Sequence, residues 1–206
     1  MATYAGISAF VREHGAKATA SCIICKLWLK LLTKLFRLRP WVQRAPYACR
    51  PYKAEAVRLA NSVGPDLVVD IGCGIGDIVS KVRAKRRFGF DRDKASIKAA
   101  KWLYRQTTFG DAALSDAEIV AEKVAAPIDL LIMVNWTHGI SFEDMAAGIA
   151  KLKQLIPVKY FLIDSINSDW KNSHRHTRDQ LSQLGEIHTS MASKEDVRTW
   201  YLVRLS

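Results

Sequence analysis

The chain has 206 residues, 49% of them apolar and 25% charged, a balance that excludes wholesale disorder and fibrous repeats and fits one domain with a short extension. No apolar run reaches the about 18 residues that a membrane-spanning helix needs. The net charge of +11 is uneven: residues 1–60 hold 11 Lys/Arg against two acids, and residues 61–206 hold 20 against 18. A basic extension on a nearly neutral body attracts anionic surfaces such as nucleic acid, phospholipid headgroups or acidic substrates, without choosing among them.

Residues 1–20 carry little pattern. Residues 21–39 (SCIICKLWLKLLTKLFRLR) predict a helix that Ser21 can cap and Pro40 limits. Lys26, Lys30, Lys34 and Arg37 form one cationic stripe, and aliphatic and aromatic residues cover most of the rest. The prolines of 40–52 predict an extended connector, so the chain divides into a basic helical extension, 1–52, and a domain, 53–206. Cys22 and Cys25 make a single CxxC, which lacks the four ligands of a zinc site and reads as two small residues on one helix face. With Cys49 and Cys73 they are expected to be reduced. Arg12, Glu13 and Lys17 precede a stretch that Lys26 and Lys30 interrupt, which does not fit a secretory leader. The expected location is cytoplasmic.

From Lys53 a helix over 53–63 leads into alternating elements. Strands are expected at 66–71, 86–91, 106–110, 128–135 and 158–166. Helices are expected at 76–84, 93–105, 114–125 and 142–155. Apolar strands joined by helices imply parallel pairing in an α/β sheet. A helix near 174–184 then precedes two strands, 186–192 and 197–205, close enough to pair antiparallel.

Ligands of such sheets bind beyond the carboxyl ends of the strands. Here those ends carry Asp70, Asp91, Asp111, Asn135 and Asp164. This acidic rim suits a ligand with positive charge and hydroxyl or amino donors. Gly72, Gly74 and Gly76 form a tight bend after the first strand. The third glycine comes one residue too early for the dinucleotide fingerprint, and Asp77 stands where that glycine would be. An acid there opposes a phosphate, which disfavours a nicotinamide oxidoreductase.

The segments LVVDIGCGIGDIV (67–79), FGFDRD (88–93), FGDA (109–112) and IDLLIMVN (128–135) together resemble the class I S-adenosylmethionine-dependent methyltransferases over residues 53–206. The resemblance implies a Rossmann-like, doubly wound seven-stranded α/β sheet whose last strand inserts antiparallel, and S-adenosyl-L-methionine as cofactor. It implies Asp70 at the methionine ammonium and Gly72, Cys73, Gly74 and Gly76 along the cofactor. Asp91, with Arg92 beside it, falls at the ribose hydroxyls, Asp111 and Ala112 at the adenine, and Asn135 beside the sulfonium.

Methyl transfer from a sulfonium needs alignment and exclusion of water, and a base only where the nucleophile must lose a proton. His138 is the candidate base and Trp136 a candidate wall of the acceptor pocket. Asn135-Trp136-Thr137-His138 lacks the prolines of the amino-methylating nucleic-acid enzymes. The metal set of catechol-type enzymes does not map onto Asn135 and Asp164, and His174 and His176 point in different directions, so no metal is expected. Three readings of helix 21–39 stay open: a lid over a small-molecule pocket, an interfacial membrane helix serving a lipid-like acceptor, or a basic arm on RNA. The leading function is methylation of a small-molecule or lipid-like acceptor. The alternatives are an RNA methyltransferase and a non-catalytic cofactor-binding module.

Overall fold

A computed structural model describes residues 4–39, 47–166, 173–193 and 197–205, with side chains of the first helix described from Ala20 onward. The first helix, α1 (Tyr4–Phe36), begins well before the expected residue 21. It ends where Arg37 turns left-handed (φ 56°) and the Leu38 amide reaches back to Thr33 O at 3.1 Å. That i to i−5 bond is a Schellman stop, followed here by Pro40. Cys22 of α1 is bonded to Cys49, in the 3-10 turn Tyr47–Cys49, so the expectation of four reduced thiols is corrected for this pair. The bridge is possible because the Tyr47–Cys49 turn lies against α1, with the two Cα atoms 5.1 Å apart. Residues 40–46 of the expected connector lie outside the described residues.

Helix α2 (Pro51–Ser62) starts on a proline, which suits a first helical position. The body then runs β1 (Leu67–Ile71), β2 (Arg86–Asp91), α3 (Lys94–Leu103), β3 (Thr108–Asp111), α4 (Ala117–Val124), β4 (Ile128–Met133), α5 (Phe142–Leu155), β5 (Val158–Ile166), α6 (Arg178–Ser182), β6 (Gly185–Ala192) and β7 (Arg198–Leu205). The seven strands order as β3-β2-β1-β4-β5-β7-β6. The first five are parallel, and β7 enters antiparallel between β5 and β6, as expected.

Alternation along the buried strands builds two cores. Val69, Leu131, Met133, Phe161 and Ile163 face α4 and α5 on one side. Val68, Leu130, Ile132, Leu162, Trp200 and Leu202 face α2 on the other, with Ile97 and Ala100 of α3. Helix α1 adds a third layer, where Leu29, Leu32 and Leu38 pack against Ala99 of α3.

One expected helix is missing. Instead of a helix over 76–84, the chain makes turns and a single 3-10 turn, Val79–Lys81. Gly72, Gly74 and Gly76 all take positive φ (78°, 56°, 78°), so helical geometry cannot begin before Asp77. The chain must reach Arg86 soon after, and it does so with Ile78, Val79 and Val82 buried in the second core. The expected helix near 174–184 also shortens, to α6, which a Thr177–Gln180 capping box starts.

Candidate active site at the strand ends

The carboxyl ends of β1, β2, β3 and β4 open on a cavity of about 1070 Å3. Its first wall is the glycine bend. Gly72 and Cys73 amides both donate to Phe90 O (2.7 and 3.0 Å), which folds the bend back over β2. A side chain at Gly72 would strike the Trp136 indole, whose Nε1 would lie 2.2 Å from the added carbon. That indole donates through Nε1 to Ile71 O at 2.6 Å, which fixes it across the bend as part of the cavity wall. Gly74 faces open space, and its amide donates to Asp91 Oδ2 at 2.8 Å. Gly76 does not line the cavity among the described residues; a side chain there would meet the Phe109 ring, at 2.5 Å. Its glycine serves close packing.

Four carboxylates stand around this bend. Asp91 accepts the Gly74 amide on one oxygen and the Asp93 amide (2.8 Å) on the other. Asp70 is buried, and its carboxyl is held well above the ordinary range, first by burial and then by Asp77 and Asp91, with Lys53 opposing. Asp77 is paired with Lys53 of α2 at 2.7 Å, both side chains buried. Asp93 lies 3.9 Å from Arg39. Cys73 is a cavity residue with its thiol buried and pushed up by that burial, which leaves it an unreactive, neutral wall.

The opposite wall includes Val134, Asn135 and Trp136 after β4, and β5 and β7 brace it from behind without lining the cavity among the described residues. The expected strand 128–135 stops at Met133, and Asn135 leaves the sheet with φ 69°. Its amide donates to Asp164 Oδ1 at 2.7 Å. Arg198 of β7 pairs with Asp164 Oδ2 and donates through Nη2 to Asn135 Oδ1 at 2.9 Å. The same guanidinium lies 4.0 Å over the Tyr52 ring. Burial pushes the Tyr52 hydroxyl up to about 12, so it stays protonated at the cavity wall.

Asp70, Gly72, Cys73, Gly74, Asp91, Arg92, Ala112, Asn135 and Trp136 are therefore brought together on one cavity. Three residues expected there are placed elsewhere: Gly76, against the Phe109 ring, and then Asp111 and His138. Asp111 turns its carboxylate 3.3 Å from Lys94 and does not line the cavity among the described residues. It closes β3 directly opposite Asp91, and its carboxylate is drawn to the exposed Lys94 that begins α3. His138 sits in the 3-10 turn Thr137–Gly139, outside the described lining. His174 donates its amide to His138 O, and His176 Nε2 bonds Thr137 O at 2.9 Å, so the histidines anchor this turn. Burial holds both His138 and His176 below the ordinary imidazole value. Lys53, Tyr52 and Arg198 were not legible as site residues: they come from helix and strand positions far away in sequence, and no local motif marks them. Described side chains of α1 do not reach the cavity either; Arg39, just past the helix, does.

The arrangement suits a cationic ligand with neighbouring hydroxyls. A carboxylate is acceptor-only with about four lone-pair sites, so Asp91 can brace the bend and still accept from two ligand hydroxyls. With Asp77 buried after the bend and no helix following it, the feature that grips a pyrophosphate is absent. Among the described residues no cluster of His, Cys, Asp and Glu is placed to hold a metal.

No protein-family model matches the chain, and no curated protein matches it. Solved structures do. The chain is similar to the N-methyltransferase NodS from Bradyrhizobium japonicum WM9 in complex with S-adenosyl-L-homocysteine, with a TM-score of 0.61 and 15% identity over 86% of this chain and 97% of that one. It is similar to magnesium protoporphyrin IX methyltransferase (ChlM) from Synechocystis PCC 6803 with bound SAM, with a TM-score of 0.53 and 17% identity over 76% and 77%. A TehB-like SAM-dependent methyltransferase from Corynebacterium glutamicum follows at 0.55 and 17%, over 73% and 87%. The chain has the class I methyltransferase fold.

Proposed function

We propose that this chain is an S-adenosylmethionine-dependent methyltransferase acting on a small-molecule or lipid-like acceptor. The observation that carries the reading is Asp91, which lines the cavity while holding the Gly74 amide, with buried Asp70 across the same bend. Asp70 would face the cofactor's ammonium and Asp91 its ribose hydroxyls. The Ala112–Leu114 segment lines the cavity beyond β3 and would cover the adenine without help from the Asp111 carboxylate. When bound, the cofactor supplies a methyl group on an already activated sulfonium. The protein's part is to orient both partners and keep water out. Trp136, locked by Ile71 O, gives a rigid wall, and Arg198 holds the lining residues Asn135 and Tyr52 from behind.

The three solved relatives above support this reading through names that are all methyltransferases, one with S-adenosyl-L-homocysteine and one with SAM bound. The cavity is slightly larger than the about 300–1,000 Å3 usual for ligand pockets, which leaves room for an acceptor beside the cofactor. The experiment is transfer of a tritiated methyl from S-adenosylmethionine in a fractionated cell extract. Label in solvent-extractable small molecules is expected. Label in RNA would replace the small-molecule acceptor with the basic-arm alternative. Cofactor binding with no label in any fraction would favour a binding module.

A further inference from the structure

Helix α1 buries only part of its circumference. Leu29 and Leu32 turn inward against Ala99 of α3, with Phe36 half-buried beside them. Ile23, Ile24, Leu27, Trp28, Leu31 and Leu35 remain 43–65% exposed. Those six, with Trp102 of α3, make up seven of the ten exposed large hydrophobic residues among the described residues, so the patch is concentrated and not a scatter of single side chains. Trp102 belongs to it physically: its ring lies 5.9 Å from Trp28 and 6.0 Å from Phe36.

The border of this face is cationic. Ile24, Leu27, Leu31 and Leu35 recur at steps of three, four and four, and Lys26, Lys30 and Lys34 run beside them at steps of four, all exposed. Lys98, one turn before Trp102 on α3, extends the border. Residues 20–39 contain five Lys/Arg and no acid. A second copy presenting the same face would bring lysine against lysine with no carboxylate to answer it, which disfavours self-association. No helix among the described residues is long and apolar enough to cross a membrane. The disulfide to Cys49 and the α3 contact hold its outward face in place.

We propose that this face of α1 docks on an anionic phospholipid surface, the aliphatic row and Trp28 entering the acyl boundary and the lysines resting among the headgroups. Arg39 at the end of the same segment lines the cavity, so docking sets the site's mouth near the lipid. The proposal stands without the cofactor reading; it adds to that reading a surface from which a lipid-like acceptor would be taken.

The test is vesicle co-sedimentation of the full chain without cofactor. Binding to phosphatidylcholine vesicles containing phosphatidylserine is expected, weakening as salt rises. The variant Leu27→Glu/Leu31→Glu/Leu35→Glu should lose binding while keeping its unfolding midpoint, since all three side chains are exposed. Lys26→Gln/Lys30→Gln/Lys34→Gln should bind about a hundredfold more weakly, about fivefold per lysine. No binding to the anionic vesicles, or binding that the leucine variant keeps, overturns the proposal. So does a concentration-dependent dimer that fails to bind vesicles and that the leucine variant dissolves. Failure here leaves the cavity reading untouched, because S-adenosylmethionine titration of the same samples measures that separately.

Discussion

Lys53, in the first turn of α2, reaches across to Asp77 at 2.7 Å and neutralises the one acid that stands where a dinucleotide site keeps a glycine. The pair ties the start of the domain to the end of the glycine bend, and both partners are buried. Removing one partner of such a pair strands a buried charge, which typically costs about 3–5 kcal/mol. Lys53→Met should therefore unfold at markedly lower urea, and Lys53→Met/Asp77→Asn should recover much of the loss. A single variant within about 0.5 kcal/mol of the parent would show that the pair is solvated.

Gly72 and Gly74 both take left-handed backbone, but their surroundings differ. Gly74→Ala meets no atom within 4 Å and should cost about 1–2 kcal/mol from backbone strain alone. Gly72→Ala must also displace the Trp136 indole and break its bond to Ile71 O, so it should be clearly the more destabilising. Tryptophan fluorescence should shift in the Gly72 variant and not in the Gly74 variant. Equal effects on stability and fluorescence would mean that Trp136 does not lie across the bend.

The raised carboxyl of Asp70 makes stability depend on pH. Its folded value exceeds its unfolded one, so the contribution of its protonated form is complete below about pH 3.9 and is lost as pH rises through the folded value. Asp70→Asn cannot ionise. Its stability relative to the parent should therefore climb as pH increases above about 4, in urea titrations at several pH values. A cation bound beside Asp70 should also draw off a proton, which calorimetry in buffers of different ionisation heat would detect. A stability difference independent of pH would place Asp70 in contact with water.

The Cys22–Cys49 bridge fastens α1 to the turn before α2. Intact mass under non-reducing conditions should be lower by two hydrogens than after reduction and denaturation. A closed loop of this length restricts the unfolded chain by about 3.5 kcal/mol in the entropy model. Cys22→Ser should therefore loosen α1, seen as faster tryptic cleavage at Lys26, Lys30 and Lys34. An unchanged mass on reduction would show two free thiols.

Much of this fold could be read from the sequence because its strands are short apolar runs with an acid or amide at the end, and strands 86–91 and 158–166 emerged with their expected limits. The glycine bend was legible through its spacing, but not the loss of the helix after it, since Ile78, Val79 and Val82 fit one helix face equally well. Helix α1 escaped at its start because residues 1–20 carry no regular apolar period. Trp136 was found through its place after β4, whereas Arg198 was invisible: only the antiparallel insertion of β7 beside β5 delivers it to Asp164 and Asn135. Asp111 lies opposite Asp91 in the sheet, but its carboxylate pairs with Lys94 of α3, a partner that no local motif marks.

Titration calorimetry of the purified chain with S-adenosylmethionine, run beside Asp91→Ala, tests the central claim most directly. The parent should bind in the micromolar range. The variant, which loses the acceptor for two backbone amides and, under the proposed reading, for the ribose, should bind more than tenfold more weakly, a difference of about 1.4 kcal/mol or more. No heat from the parent at millimolar ligand, or equal affinity in the two proteins, would contradict the account.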